Sequence, residues 1–415
     1  MNAPARSPLM ALDDALAQLL SGVAPLADTE RVPTDLADGR VLAESLTSAL
    51  HVPPQDNSAM DGYALRCANV PASGTELPVS QRIPAGHAAE PLLPGTCARI
   101  FTGAPLPAGA DAGVMQEEVK DLGDGRVAIQ ALPQAGQWIR RAGEDVARGA
   151  VVLCQGQRLG PAQLGLAAGI GCADLAVVRR PRVALFSTGD ELVMPGDVPP
   201  QNMRPGAIYN SNRFFLKALL QRLGCEVSDL GIVPDRRDAT LDALRGAAQQ
   251  HDLILTSGGV SVGEEDHIKP AVQALGGLDL WQIAMKPGKP FAHGHIRIDG
   301  QDRRCHFIGL PGNPVSSFVT FVLLVRPFVL QLQGCVPPPW RPLQLPAHFT
   351  VARADKRREF LRVRRNAQGG LDLFPNQSSG VLTSAAWADG LVDNPAGSTI
   401  AHGDLVNYLP LADWL

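Results

Sequence analysis

The feature that most narrows the fold of this 415-residue chain is an alternation that begins near Pro181. Short apolar runs at 182–187, 225–233, 253–256 and 305–309 are separated by segments of helical period at 210–223, 238–250 and 268–275. Compact apolar runs bounded by turn residues suit strands buried on both faces. Strands alternating with helices predict a mainly parallel, doubly wound sheet covered on both sides. One more helix is expected from 314 to about 325, with proline at its first turn. Ligands bind such sheets beyond the carboxyl ends of the strands. That edge carries Thr188-Gly189-Asp190-Glu191, Pro234-Asp235, Ser257-Gly258-Gly259 and Leu310-Pro311-Gly312-Asn313-Pro314. Four loops bearing Asp, Glu, Gly or Pro at one edge point to a shared site for an anion or a metal-bound nucleotide.

The loop after 253–256 runs Ser257-Gly-Gly-Val-Ser-Val-Gly-Glu-Glu-Asp266. Its glycines allow positive φ and a close backbone approach to a ligand. Glu264, Glu265 and Asp266 follow, and Asp266 also stands where it could cap a helix beginning near His267. This stretch reads either as a plain strand–turn–helix joint or as a phosphate site completed by a divalent cation. The Met285-Lys-Pro-Gly-Lys-Pro-Phe291 segment carries Lys286 and Lys289 on a proline-stiffened loop. They are solvated surface charge, or two ammonium groups for a phosphate or another tetrahedral dianion.

Flanking regions have a different grammar. Helical patterns are expected at 9–20 and 36–50, the second ended by Pro53-Pro54. Between about 70 and 127, short strands with Pro/Gly turns predict a small β-barrel or sandwich. The loop 55–64 holds Asp56 and Asp61 among turn residues, which cap backbone N–H groups or supply a carboxylate to a metal or an ordered water. Phe101-Thr102-Gly-Ala-Pro105 is a rigid turn bearing a hydroxyl. Arg140 and Arg141 face Glu144 and Asp145 in sequence, as a surface ion-pair patch or as the guanidinium pair of an oxyanion site. After Cys335, strands at 345–351, 358–363, 370–374 and 405–409 predict a compact β-module, with a short helix or turn at 381–388. The basic run 353–365 reads as an amphipathic strand, since aromatic residues barely interleave it.

Lys and Arg number 37 against 41 Asp and Glu, a net charge of −4, so no overall basic field suggests nucleic acid or an acidic membrane surface. Seven cysteines lie scattered with no Cys-x-x-Cys pair, which suggests reduced thiols in a cytoplasmic protein. The first ten residues lack an apolar core of signal-peptide length, and the most apolar window, 318–332, contains Arg326 and Pro327 and falls short of a bilayer span.

Eight motifs in order closely resemble the molybdopterin molybdenumtransferases, the MoeA family, to which the gephyrin E domain is related. They are Asp56-Asn-Ser-Ala-Met-Asp-Gly-Tyr-Ala64, Thr102-Gly-Ala-Pro105, Arg141-Ala-Gly-Glu-Asp145, Ser187-Thr-Gly-Asp-Glu-Leu192, Ser257-Gly-Gly-Val-Ser-Val-Gly263, Lys286-Pro-Gly-Lys-Pro-Phe291, Leu310-Pro-Gly-Asn-Pro314 and Gln377-Ser-Ser-Gly380. The resemblance covers essentially the whole chain. It implies an elongated homodimer of four-domain subunits: an α/β domain (8–29 and 178–328), a small connecting domain (30–47 and 148–177), an inserted β-rich domain (48–147) and a C-terminal β-barrel-like domain (329–415). It also implies Mg²⁺-dependent insertion of molybdate into the dithiolene of adenylylated molybdopterin, with release of AMP. The expected Mg²⁺ carboxylates are Asp266, Glu191 and Asp235. The loop with Ser257, Gly258, Gly259, Ser261 and Gly263, and the turn Pro311, Gly312, Asn313 and Pro314, would hold the nucleotide. Lys286 and Lys289 would hold molybdate or the pterin phosphate. Asp61, Thr102, Arg141 and Ser379 would reach the site from a neighbouring domain or subunit, with Asp61 orienting water or acting as base and Arg358 as a further oxyanion contact. A further expected partner is the molybdopterin adenylyltransferase as supplier of the substrate, with neither nucleic acid nor membrane as a partner. An adenylyltransferase or pyrophosphatase on the same module, or a scaffold, are the competing expectations.

Overall fold

The computed structural model describes residues 9–259, 267–300, 303–336 and 339–413. The chain forms two compact units, one of residues 9–30, 39–41 and 177–413, the other of 31–38 and 42–176.

The first unit is organised by a six-stranded sheet in the order Glu226–Val233, Arg182–Thr188, Leu253–Ser257, Arg304–Leu310, Pro290–Arg297, Gly276–Gln282. The first four strands are parallel, as the alternation predicts, and the last two close that edge antiparallel. Side chains alternate across the pleat. Leu185, Leu253, Leu255 and Ile308 pack with Leu216, Val319 and Phe328 on one face, while Ala184, Phe186, Ile254 and Phe307 pack with Leu244, Ala248 and Val272 on the other. Each fully buried leucine, isoleucine or phenylalanine contributes roughly 1.5–3 kcal/mol, so both faces require helices. Asp252 anchors the strand end remote from the glycine loop. It accepts hydrogen bonds from Arg179 at 2.7 and 2.9 Å, from Arg303 at 3.0 Å and from the backbone N–H of Arg182 at 2.8 Å.

The helix expected from 314 to about 325 is longer. It spans Pro314–Leu332, 19 residues with 89% of its apolar window buried, so it does reach the length of a bilayer span but is a core helix here. It passes Pro327 through a wide π turn at Phe321–Val325. Such a turn relieves the clash of the proline ring with the carbonyl four residues back. The C-terminal β-module orders its strands as Met285–Lys286, Arg358–Arg365, Gly390–Asn394, Leu405–Pro410 and Leu343–Pro346, with Leu371–Leu373 added beside Arg358–Arg365. The short helix Leu382–Trp387 lies within it.

The second unit is built on an inserted sheet ordered Ala112–Met115, Gly62–Leu65, Cys97–Ile100, Thr75–Ile83, Arg126–Ile129, Val119–Asp121. Its core holds Leu65, Val70, Leu77, Val114 and Ile129. The helical pattern expected at 36–50 does not form. A 3₁₀ turn at Thr34–Leu36 and the strand Leu46–Thr47 stand in that region, with Leu36 and Leu50 exposed. Gly39 takes a φ of +71°, which no continuing helix allows, and the Ser48 hydroxyl bonds the carbonyl of Leu50. Such local side-chain bonds compete with the helix ladder.

Candidate functional site

In the first unit, the carboxyl ends of the central strands meet a cavity of about 630 Å³. Its wall includes Thr188, Glu191, Asn212, Ser257, Gly258 and Asn313. The glycine turn adopts the predicted conformation, with φ of +96° at Gly258 and +68° at Gly259. A Cβ on Gly258 would sit 3.0 Å from the carbonyl oxygen of Thr188, and one on Gly259 would lie 2.6 Å from Ile268 Cδ1. Both positions therefore need glycine for conformation and for space. Asn212 Nδ2 donates to Ser257 Oγ and to the carbonyl of Gly312, each at 2.7 Å. One amide thus fixes the spacing of two loops that the sequence places 55 residues apart (312 − 257).

Polar atoms remain unmatched at this edge. Asn210 also lines the cavity and is 2% exposed, and its Nδ2 has no partner. Its Oδ1 accepts from the N–H of Arg213 at 3.3 Å, which leaves Nδ2 as the spare donor. Ser187 Oγ and Thr256 Oγ1 are also buried without partners. An unmatched buried donor costs about 1–3 kcal/mol, and sites retain such groups for ligands. Sequence reasoning missed Asn210 and Asn212. The signal was present in Tyr209-Asn-Ser-Asn212, two short amides at a helix start.

The expected residues distribute as follows. Glu191, Ser257, Gly258, Gly312, Asn313 and Pro314 line the one cavity. Gly259 continues the glycine turn, and the carbonyl of Pro311 accepts from Ser317 Oγ. Ser379 reaches the same region through its backbone. Its carbonyl accepts from Val315 N–H at 3.0 Å, and the next residue, Gly380, lines the cavity. Asp235, half-buried at the end of its strand, is not among the lining residues. Ser261, Gly263 and Asp266 lie outside the described residues. Among the described residues no three His, Cys, Asp or Glu side chains gather as a metal site.

The lysine loop seats on the long helix, where Gly288 takes a φ of +107° and packs against Thr320 Oγ1 and the Ser316 carbonyl. Lys286 Nζ donates to Glu359 at 2.9 Å and to Asp355 at 3.2 Å. The Glu359 bond, followed by that of Asp355, holds the Lys286 ammonium above its ordinary pKa against burial. Lys289 has no carboxylate partner among the described residues. Arg358 is engaged by Asp393 at 2.6 and 2.7 Å and by Asp13 at 3.1 Å.

In the second unit, Asp61 Oδ1 accepts from the N–H of Thr102 at 2.8 Å and from its hydroxyl at 2.7 Å. Those bonds hold the Asp61 carboxyl below its usual pKa. Asp56 accepts from Ala142 N–H at 2.9 Å and from Arg141 Nη1 at 2.6 Å. Both acids therefore satisfy backbone N–H groups, as the turn reading expected, and Asp61 and Thr102 form a pair that sequence distance conceals.

Three family models match the chain in order: the MoeA N-terminal region (domain I and II) over residues 10–171, a probable molybdopterin binding domain over 184–331, and the MoeA C-terminal region (domain IV) over 344–411. A molybdopterin molybdenumtransferase of Haemophilus influenzae is 41% identical over 376 residues, covering 88% of this chain and 89% of that protein. A gephyrin of Dictyostelium discoideum is 32% identical over 342 residues, 74% of this chain and 47% of the longer protein. The crystal structure of a molybdopterin biosynthesis moeA protein from Pyrococcus horikoshii OT3 superposes with a TM-score of 0.83 at 28% identity, covering 97% of this chain and all of that one. The chain accordingly belongs to the MoeA family, the molybdopterin molybdenumtransferases, enzymes of molybdenum cofactor biosynthesis.

Proposed function

We propose that this enzyme inserts molybdate into the dithiolene of adenylylated molybdopterin, with Mg²⁺, and releases AMP. The observation that carries the reading is the cavity at the carboxyl edge of the sheet, where the positive-φ turn at Gly258 and Gly259 faces the helix start at Asn313-Pro314. Glycine turns and helix starts suit phosphate oxygens; here Gly258 N–H already donates to the Leu310 carbonyl and Val315 N–H to that of Ser379, so the donors left for phosphate are the other N–H groups of these loops. Asn210 Nδ2 offers a further donor to an acceptor-rich ligand.

The cavity offers Mg²⁺ one of the three expected carboxylates. Glu191 is the carboxylate on the cavity wall among the described residues, and Mg²⁺ is commonly held by one or two carboxylates plus substrate phosphate. Glu191, with Asp235 and Asp266, would hold the ion, which when bound supplies positive charge to the phosphates. Lys289, with no carboxylate partner among the described residues, serves the oxyanion directly. Lys286 serves it by exchanging Glu359 or Asp355 for the ligand. Asp61, kept ionised by Thr102, orients water or accepts a proton rather than donating one. In this reading the chain works as a cytoplasmic homodimer of four-domain subunits, with Arg141, Ser379 and Arg358 as supporting contacts and the molybdopterin adenylyltransferase as supplier.

The test mixes the full-length chain with adenylylated molybdopterin, Mg²⁺ and molybdate, and follows AMP release together with activation of an apo-molybdoenzyme. Both signals are expected, and Glu191→Gln is expected to lower them at least tenfold while the fold persists. AMP release without activation would instead identify a pyrophosphatase, and neither signal would remove the enzymatic reading.

A further inference from the structure

Three adjacent strands of the second unit place Tyr63, Arg99 and Arg82 side by side, Tyr63 in register with Arg99 and Arg99 in register with Arg82. In-register neighbours share a face, and like charges directly opposite destabilise a sheet. Arg82 and Arg99 nonetheless stand in register with no carboxylate hydrogen-bonded or ion-paired to either among the described residues, although the Asp61 carboxylate lies close enough to feel the charge of Arg99. Arg99 donates to the carbonyl of Gly62 at 2.9 Å and to Gln116 Oε1 at 2.6 Å. Arg82 is exposed and makes a ring contact alone. Elsewhere in the same unit, Arg31, Arg126 and Arg141 each pair with an acid. Arg66, Arg140 and Arg148 of this unit also lack a paired acid among the described residues, so what sets this place apart is two such arginines in register.

Both guanidinium groups rest on one ring. Their central carbons lie 4.5 Å (Arg82) and 4.7 Å (Arg99) from the centroid of Phe101, and Arg99 lies 5.2 Å from that of Tyr63. Stacking occupies the face of a guanidinium and leaves its N–H edge for an oxyanion; the edge of Arg82 is uncommitted, while Arg99 keeps the N–H groups not given to Gly62 and Gln116. Thr102, bonded to Asp61, follows Phe101 directly, so the cationic row adjoins the pair proposed above for the reaction.

We propose that Arg82 and Arg99, stacked on Phe101, form an oxyanion-binding platform that takes a phosphoryl group or the tetrahedral molybdate dianion beside Asp61 and Thr102. An oxyanion bridging the two N–H edges supplies the charge that the sheet withholds and relieves the like-charge pair. This inference rests on the proposed reaction, whose substrates carry both kinds of group.

Calorimetric titration of the full-length chain with pyrophosphate, AMP and molybdate, each against sodium chloride of equal ionic strength, tests it. Arg82→Gln is expected to remove one oxyanion site per chain or weaken it at least tenfold, whereas Arg82→Lys retains part of the affinity. Without ligand, Arg82→Gln is also expected to raise the Tm, since one of two facing charges is gone. Loss of the molybdate response alone assigns the platform to the metal oxyanion; loss of the pyrophosphate and AMP responses assigns it to the phosphoryl group. Binding by Arg82→Gln identical to the original chain, or no oxyanion binding beyond chloride, would overturn the proposal. Arg82 makes no hydrogen bond whose loss could unfold the sheet, so this variant carries the test even if Arg99→Gln does not fold. Binding is read independently of turnover, so AMP release without a platform defeats this inference alone, and a platform without AMP release defeats the reaction alone.

Discussion

Asn212 shows how much of the site depends on one side chain. Its Nδ2 ties Ser257 to the Gly312 carbonyl, and its partners stand on loops that follow two adjacent parallel strands. Replacing it with alanine leaves the buried Ser257 hydroxyl, and the carbonyl of the exposed Gly312, short of a donor. Asn212→Ala is expected to cost about 1–3 kcal/mol in urea unfolding and to reduce AMP release by a larger factor than that loss explains, because the two loops lose their spacing. Equal stability and equal turnover would show the tie to be incidental. The glycine turn was legible from residue type alone, since Ser257-Gly258-Gly259 has few conformations open to it. The asparagine was not, because an amide before a helix usually does no more than cap it.

At the scale of elements, the antiparallel pair Pro290–Arg297 and Arg304–Leu310 carries a histidine ladder. His293 stacks near His306 at 6.4 Å and meets Trp281 and Phe328, and its Nε2 has no partner. Burial pushes the His293 pKa down to about 4, with His306 and His295 adding to the shift. Protonation therefore favours the unfolded chain, where a histidine titrates near 6.5. This element's stability should be full above about pH 6.5 and fall as the pH drops toward 4, by on the order of 1–3 kcal/mol. His293→Phe is expected to flatten that part of the stability–pH curve measured by denaturant unfolding; an unchanged slope would assign the acid sensitivity elsewhere. Neither Pro290–Arg297 nor Gly276–Gln282, the two antiparallel strands that close one side of this sheet, was foreseen. The sequence around the two lysines reads as a loop because Pro287, Gly288 and Pro290 interrupt it, although a long strand starts at Pro290. The helix expected at 36–50 failed for the opposite reason, an apolar spacing that Gly39 and the hydroxyl side chains overrule.

Across the first unit as a whole, Arg358 joins the N-terminal helix to the C-terminal β-module through Asp13 and Asp393. Asp393 is 8% exposed, so Arg358→Ala strands a buried carboxylate. A loss of about 1.5–3 kcal/mol is expected from its charged hydrogen bonds, against under 1 kcal/mol for Arg365→Ala, whose partner Asp389 is far more accessible. Chemical denaturation of the two variants checks this, and equal losses would deny Arg358 a joining role. The alternation after Pro181 determined the parallel sheet, its two covered faces and the edge where loops could gather, because burial on both faces demands long apolar runs and helices between them. Glycine and proline determined the turns for the same local reason. Tertiary structure alone decided which charges stand free. Lys286 and Arg358 look alike in sequence to Lys289 and Arg82, yet the first two are matched by carboxylates from distant strands and the last two are not. Local pattern is written in neighbouring residues, whereas the neutralising partner of a charge lies tens or hundreds of residues away and is brought near only by packing.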